Sequence, residues 1–276
     1  MTDTMEIQPP YRAIIATTDG SDLSTLGLRG GARLAAQTGA ALHVFHALSV
    51  RSDESEVRSL VEEILGDMEH QLVVEEVPGS ETPAAAAAAY AAQLGSAVIC
   101  LGTHGRGGVG SAVLGSTALS LVSQHRRSIV AFGPEAASPM AIVRVVACVD
   151  GSEFSELSLG EGVRWAAALG VPLWLVQVVP SGLPEYVAAF EHTYVHNLAK
   201  GLAGSHLKLE WEVLHSSSPS RALLEMFGED AATLLVMATH GRRGMQKILL
   251  GSVATEVVRN SWGPVALVVP PGVSGA

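Results

Sequence analysis

Residues 101–116 read LGTHGRGGVGSAVLGS, and residues 237–252 read MATHGRRGMQKILLGS. Each stretch carries Thr-His-Gly, then a basic glycine-containing loop, then Leu-Gly-Ser. The spacing between them is 136 residues, from Gly105 to Gly241 and again from Gly115 to Gly251. An earlier pair agrees, Thr-Asp-Gly-Ser at 18–21 and Val-Asp-Gly-Ser at 149–152, spaced by 131. The 276-residue chain is therefore one unit written twice, each copy closing on a glycine-rich loop of the kind that holds phosphate.

Working outward, each copy reads as alternating strands and helices. In the first, short apolar runs predict strands at 12–17, 41–47, 72–77, 97–101 and 128–132. Runs of this length, rich in Val, Ile, Leu and Ala, suit strands buried on both faces, as in a parallel sheet. The Asp19-Gly20-Ser21-Asp22 turn supplies a cap for a helix to about Thr38, and Gly39 ends it. The 3.6-residue pattern of Val57, Leu60, Val61, Ile64, Leu65 and Met68 predicts a helix over 53–70. Pro83 opens an alanine-rich helix to about Leu94, and Ser116 opens another to Gln124. The second copy repeats the order, with strands at 144–148, 172–178, 207–213, 233–237 and 265–269. Its helices are predicted near 154–169, 184–200, 219–227 and 252–260. Residues 134–139, bounded by two prolines, read as a linker between domains at 1–135 and 141–276.

Five strands alternating with four helices predict an α/β fold: two doubly wound five-stranded parallel sheets, each of strand order 3-2-1-4-5. Ligands in such sheets bind beyond the carboxyl ends of the strands, where the order reverses. Here that crevice lies between strands one and four. Asp19 follows strand one and Gly102 follows strand four, so both motifs converge on it.

Composition narrows the function. Apolar residues make up 48% of the chain, yet no run approaches the ~20 residues of a membrane span. The N-terminus lacks a basic stretch followed by an apolar one, so no secretory signal is expected. Cys100 and Cys148 sit in apolar runs and are expected to be buried free thiols. These features predict a cytoplasmic protein. A net charge of −10 argues against nucleic acid as a partner. Cations nevertheless gather at the glycine loops, Arg106 in the first and Arg242, Arg243 and Lys247 in the second, which suggests a small anionic ligand.

The loop obeys Gly102-x-x-Gly105, nine residues, Gly115-Ser116. Gly105 can take positive φ without steric cost. Gly115 is expected where a side chain would meet a ligand. Ser116 begins a helix whose free N–H groups attract phosphate, and its hydroxyl could cap that helix or bond a phosphate oxygen. A flexible, serine-capped loop would look the same in one copy; the duplicate and the aspartate opposite favour phosphate. No Gly-Lys-Ser/Thr follows, so this is not a Walker A loop. Strand one is followed by Asp19-Gly20-Ser21 and not by a dinucleotide-binding Gly-x-Gly-x-x-Gly.

With these motifs the chain resembles a tandem universal stress protein of the nucleotide-binding kind, across nearly its whole length. The resemblance implies an adenine-nucleotide α-hydrolase-like fold with ATP held by both copies. In the first copy the implied contacts are Asp19, Gly20, Ala47, Gly102, His104, Gly105, Arg106, Gly115, Ser116 and Thr117. In the second they are Asp150, Gly151, Val178, Ala238, His240, Gly241, Arg242, Gly251, Ser252 and Val253. The aspartates would serve the ribose and phosphate side, and Ala47 and Val178 the adenine through their backbone. His46 matches a histidine common just before that contact; Gln177 replaces it in the second copy. Asp19 could assist Mg2+ at the phosphates. The resemblance further implies pairing of two units through their last strands, feasible within one chain, and a stress-linked regulatory role as a homodimer or with protein partners. The alternative is a slow ATPase or adenylating enzyme of the related α-hydrolase superfamily. Such enzymes carry Ser-Gly-Gly-x-Asp-Ser after strand one, and this chain does not.

The second copy departs once, with Ala238 in place of the first glycine. If that position needs positive φ, or if the methyl meets the ligand, the penalty is roughly one kcal/mol, about tenfold in affinity. Other residues invite chemistry and are read more simply. His104 and His240 are loop histidines without a paired acid or base, so no catalytic residue is assigned. Ser21 and Ser152 read as helix caps. His192 and His196 are spaced i, i+4 on a predicted helix but lack an obvious third metal ligand.

Overall fold

A computed structural model describes residues 11–48, 53–77, 81–103, 114–124, 127–137, 141–182, 185–202, 206–239 and 250–269. The first half runs β1 (Ala13–Thr17), α1 (Asp22–Thr38), β2 (Ala41–Leu48), α2 (Glu54–Leu65), β3 (Gln71–Glu76), α3 (Pro83–Gln93), β4 (Ala97–Gly102), α4 (Ser116–Ser123) and β5 (Ile129–Phe132). The second runs β6 (Arg144–Val149), α5 (Glu153–Leu169), β7 (Leu173–Val179), α6 (Glu185–Gly201), β8 (Leu209–His215), α7 (Pro219–Phe227), β9 (Thr233–Ala238), α8 (Ser252–Asn260) and β10 (Val265–Val268).

Local chemistry explains the boundaries. Ser21 caps α1 by accepting from Ser24 N, and Gly39 at φ 72° closes it. Ser152 and Gly170, at φ 67°, do the same for α5. These left-handed closures favour glycine because it lacks Cβ. The helix expected to reach residue 70 ends at Leu65, because Gly66 takes φ 55° and its N–H bonds back to Glu62. Hydrophobic period alone does not see such a stop. β8 is shifted two residues from the expected 207–213, a small register error on a strand half exposed to solvent.

The strands form one sheet in the order β3-β2-β1-β4-β5-β10-β9-β6-β7-β8. Each half keeps the 3-2-1-4-5 order and is parallel. The halves meet where β5 and β10 pair antiparallel, with Ala131 opposite Val265 and Ile129 opposite Leu267. The two expected sheets are thus halves of a single ten-stranded one, joined through their last strands within the chain. Both faces are covered. One core packs α1, α2, α5 and α6 side chains such as Leu28, Val61, Val163 and Val195 on alternate strand residues. The other packs the alanines of α3 with Leu121, Leu223 and Val257. Each core crosses the seam, so the two halves share a continuous apolar interior on each face of the sheet.

Polar contacts tie the seam as well. Arg164 of α5 stacks 3.5 Å over the Tyr11 ring and donates to Ser96 Oγ at 2.8 Å. Tyr11 OH donates to Glu161 Oε1 at 2.8 Å, and burial pushes the Glu161 carboxyl up. The stretch expected as a linker is also strapped down. The Gln37 amide bonds both backbone groups of Ile142, and Ala137 N donates to Trp262 O.

Candidate functional site

The parallel register brings the two sequence motifs side by side. Ala16 lies opposite Cys100 and Ala147 opposite Val236, so the chain leaves β1 beside the end of β4 and leaves β6 beside the end of β9. Each crevice has an aspartate turn on one side and the neck of a glycine loop on the other.

The aspartate turns match closely. Asp19 Oδ1 accepts from Ser21 N at 3.0 Å and from Ser21 Oγ at 2.6 Å. Asp150 Oδ1 accepts from Ser152 N at 3.0 Å and from Ser152 Oγ at 2.5 Å. Gly20 and Gly151 both stand at φ 79°, which a side chain would strain. The same serines cap their helices, as the sequence predicts. A second serine completes each turn: Ser24 Oγ accepts from Asp19 N at 3.3 Å, and Ser155 Oγ accepts from Asp150 N at 3.0 Å. Sequence reasoning passed over Ser24 and Ser155, although they recur at the 131-residue spacing.

The loop necks also repeat. Gly115 N donates to Thr103 O, and Gly251 N donates to Thr239 O at 2.8 Å. Thr103 and Thr239, both buried, donate in turn to Phe132 O and Val268 O at 2.9 Å. A Cβ on Gly251 would lie 3.2 Å from Thr239 O. The loop's own neck therefore asks for the glycine there, a reason the expected ligand clash did not include. Gly115 and Gly251, rather than the serines after them, are the N-caps of α4 and α8, and among the described residues neither helix receives a side-chain cap. α1, α2, α3 and α5 each have one, while α7, like α4 and α8, does not. The two helices thus direct their first-turn N–H groups and the positive ends of their dipoles toward the crevices.

Ser116 and Ser252 are exposed, while Thr117 and Val253 are half-buried at the first helical turn. Ala47 and Val178 are half-buried at the ends of β2 and β7. Gly102 and Ala238 close β4 and β9 in extended backbone, so positive φ is not what separates them. His104, Gly105, Arg106, His240, Gly241 and Arg242 lie outside the described residues, as do Arg243 and Lys247.

His46 is buried, and its Nδ1 donates to Thr18 O at 2.8 Å, bracing the backbone just before Asp19. Its Nε2 is buried without a partner among the described residues. His192 and His196 pack around Trp211, with His215 beside His192. Among the described residues no group of three or more His, Cys, Asp or Glu could hold a metal ion. Cys100 is buried, as expected, but Cys148 is partly exposed because it sits where β6 emerges toward the crevice. No described helix is long and apolar enough to cross a membrane.

Comparison with known proteins agrees with this architecture. The model of the universal stress protein family matches twice, over residues 10–130 and 142–269. A universal stress protein of Mycolicibacterium smegmatis is 31% identical over 186 residues, covering 63% of this chain and 62% of the relative. One of Mycobacterium tuberculosis is 32% identical over 185 residues, covering 61% and 57%. The matches thus span about three fifths of those relatives' length. The crystal structure of a universal stress protein from Archaeoglobus fulgidus superposes with a TM-score of 0.69 at 16% identity, covering 94% of this chain and 98% of that one. At that identity the likeness concerns the fold.

Proposed function

This chain belongs to the universal stress protein family, and from that premise we propose that it is an ATP-binding regulatory protein that acts by binding and not by catalysis. The observation that carries the reading is the facing pair in each half: an aspartate turn with Oδ1 fixed by two donors, and an uncapped helix N-terminus across a pinched glycine loop. A triphosphate suits such a pair. Its charge meets the dipole and N–H groups of α4 or α8, while the aspartate is held to accept from ribose hydroxyls or to meet Mg2+. The backbone at Ala47 and Val178 would receive the adenine. The loop residues His104, Gly105, Arg106, His240, Gly241 and Arg242 would close over the phosphates.

Regulation follows from the cost of order. A glycine-rich loop loses much conformational freedom when a ligand fixes it. A nucleotide that orders it would therefore shift the surface offered to a protein partner or a second copy. Isothermal titration with ATP, with and without Mg2+, tests the proposal. Saturable heat with micromolar affinity or better is expected. Absence of binding refutes it, and phosphate release above ~1 per second would favour the hydrolase alternative.

A further inference from the structure

We infer that the first glycine of the signature serves helix packing, not the ligand, and that its partner in α1 sets the width of the crevice. This inference rests on the nucleotide-binding reading and specifies how the two sites differ. A Cβ on Gly27 of α1 would lie 2.3 Å from Gly102 N and 2.6 Å from Leu101 C. On β4, Val98 and Cys100 point into the α1 face, and the two-residue period puts Gly102 on that face too. The N-terminal half of α1 thus rests directly on the backbone at the end of β4.

In the second half both partners are larger. The caps of α1 and α5 correspond at a spacing of 131, Ser21 with Ser152 and Gly39 with Gly170, so Ser158 occupies the place of Gly27. Ala238 occupies the place of Gly102. One turn further along, the close contact is retained. A Cβ on Gly31 would meet Ala16 Cβ at 3.0 Å, and one on Gly162 would meet Ala147 Cβ at 2.9 Å. At Gly27 and Gly102, by contrast, both sides grow in the second half. α5 therefore pivots on Gly162 and holds its N-terminal end away from β9. Ser158 is fully buried and its Oγ lacks a hydrogen-bond partner among the described residues, so what it brings to this contact is volume and not a bond.

The Asp150 turn rides on that end of α5. The second crevice is accordingly wider than the first and grips the nucleotide tail less closely. Ser158 and Ala238 act together as positioning residues, and the Ala238 methyl does not touch the ligand.

The test measures each site alone by calorimetric ATP titration. Gly251→Glu leaves the first site, and Gly115→Glu leaves the second. The second site should be weaker by about threefold or more. In the Gly115→Glu background, Ala238→Gly alone should leave affinity within about twofold. Ser158→Gly with Ala238→Gly should bring it to within about twofold of the first site. Thermal melts confirm that each variant is folded, and both substitutions in the second half shrink side chains, so they avoid a clash. Equal parental sites overturn the inference. So does recovery by Ala238→Gly alone, which would place the methyl against the ligand, or no response to the double substitution. If neither parent binds ATP, the binding proposal itself falls and takes this inference with it.

Discussion

Substituting Asp19 in two ways separates its part in the fold from its part in the site. Asp19→Ala removes the acceptor for Ser21 N at 3.0 Å and Ser21 Oγ at 2.6 Å. Ser21 Oγ also caps α1. Hydrogen bonds to a charged acceptor contribute about 1.5 kcal/mol or more each, so a half-buried turn that loses two should cost about 2–3 kcal/mol. For a chain of this size that is a fall of roughly 3–6 °C in melting temperature. Asp19→Asn keeps a carbonyl oxygen where Oδ1 stood and loses only the charge. It should cost about 1 kcal/mol or less in stability, yet lower first-site ATP affinity by about tenfold or more. Thermal melts without nucleotide give the first quantity. Titration in the Gly251→Glu background, where only the first site remains, gives the second. If Asp19→Ala melts with the wild type, the carboxylate does not hold the turn. If Asp19→Asn binds ATP as tightly as its parent, the carboxylate has no part in the ligand, and the aspartate side of the crevice is misread.

The seam supports three more predictions. Arg164→Ala leaves the buried Glu161 without its cation and Tyr11 without its stacked guanidinium; it should destabilise by about 3–5 kcal/mol in urea unfolding. Burial holds the Glu161 carboxyl above its ordinary value, outweighing the Tyr11 hydrogen bond and the charge of Arg164. Its favourable contribution is therefore complete below the usual glutamate pKa and is lost as pH rises through the raised value. Glu161→Gln should consequently lose less stability than wild type between pH 4 and pH 8, and parallel pH curves would contradict this. Ala266 pairs with Val130 on one side and Val236 on the other. Ala266→Pro should cost about 1–3 kcal/mol through a lost ladder bond that leaves a buried carbonyl unpaired, read as a lower denaturant midpoint for both halves together.

Much of the fold was legible because the chain states it twice. Runs such as Ile14-Ile15 and Val145-Val146 are buried on both faces, and the recurrence of the Asp-Gly-Ser turn fixes where each half begins. Caps at Ser21 and Ser152 and the proline that opens α3, Pro83, set helix starts that local chemistry alone predicts. The end of α2 was not legible, since Gly66 interrupts a hydrophobic period that continues to Met68. The continuous sheet followed from the family resemblance and not from any residue: antiparallel pairing of β5 with β10 depends on two short apolar strands 136 residues apart. In the site, the aspartate turns could be read directly. The necks at Thr103 and Thr239 could not, because a backbone carbonyl leaves no mark in a sequence. Gly102 has a second neighbour that the sequence does not show. Its backbone lies against Gly27, and only the packing of α1 on β4 reveals that.

Native mass spectrometry of the purified chain, before and after addition of ATP, tests the central claim most directly, since it counts nucleotides per polypeptide. Two adenine nucleotides per chain at saturating ATP are predicted, falling to one with Gly115→Glu and to none when Gly251→Glu is added. A chain that stays at its bare polypeptide mass at every ATP concentration would contradict the account.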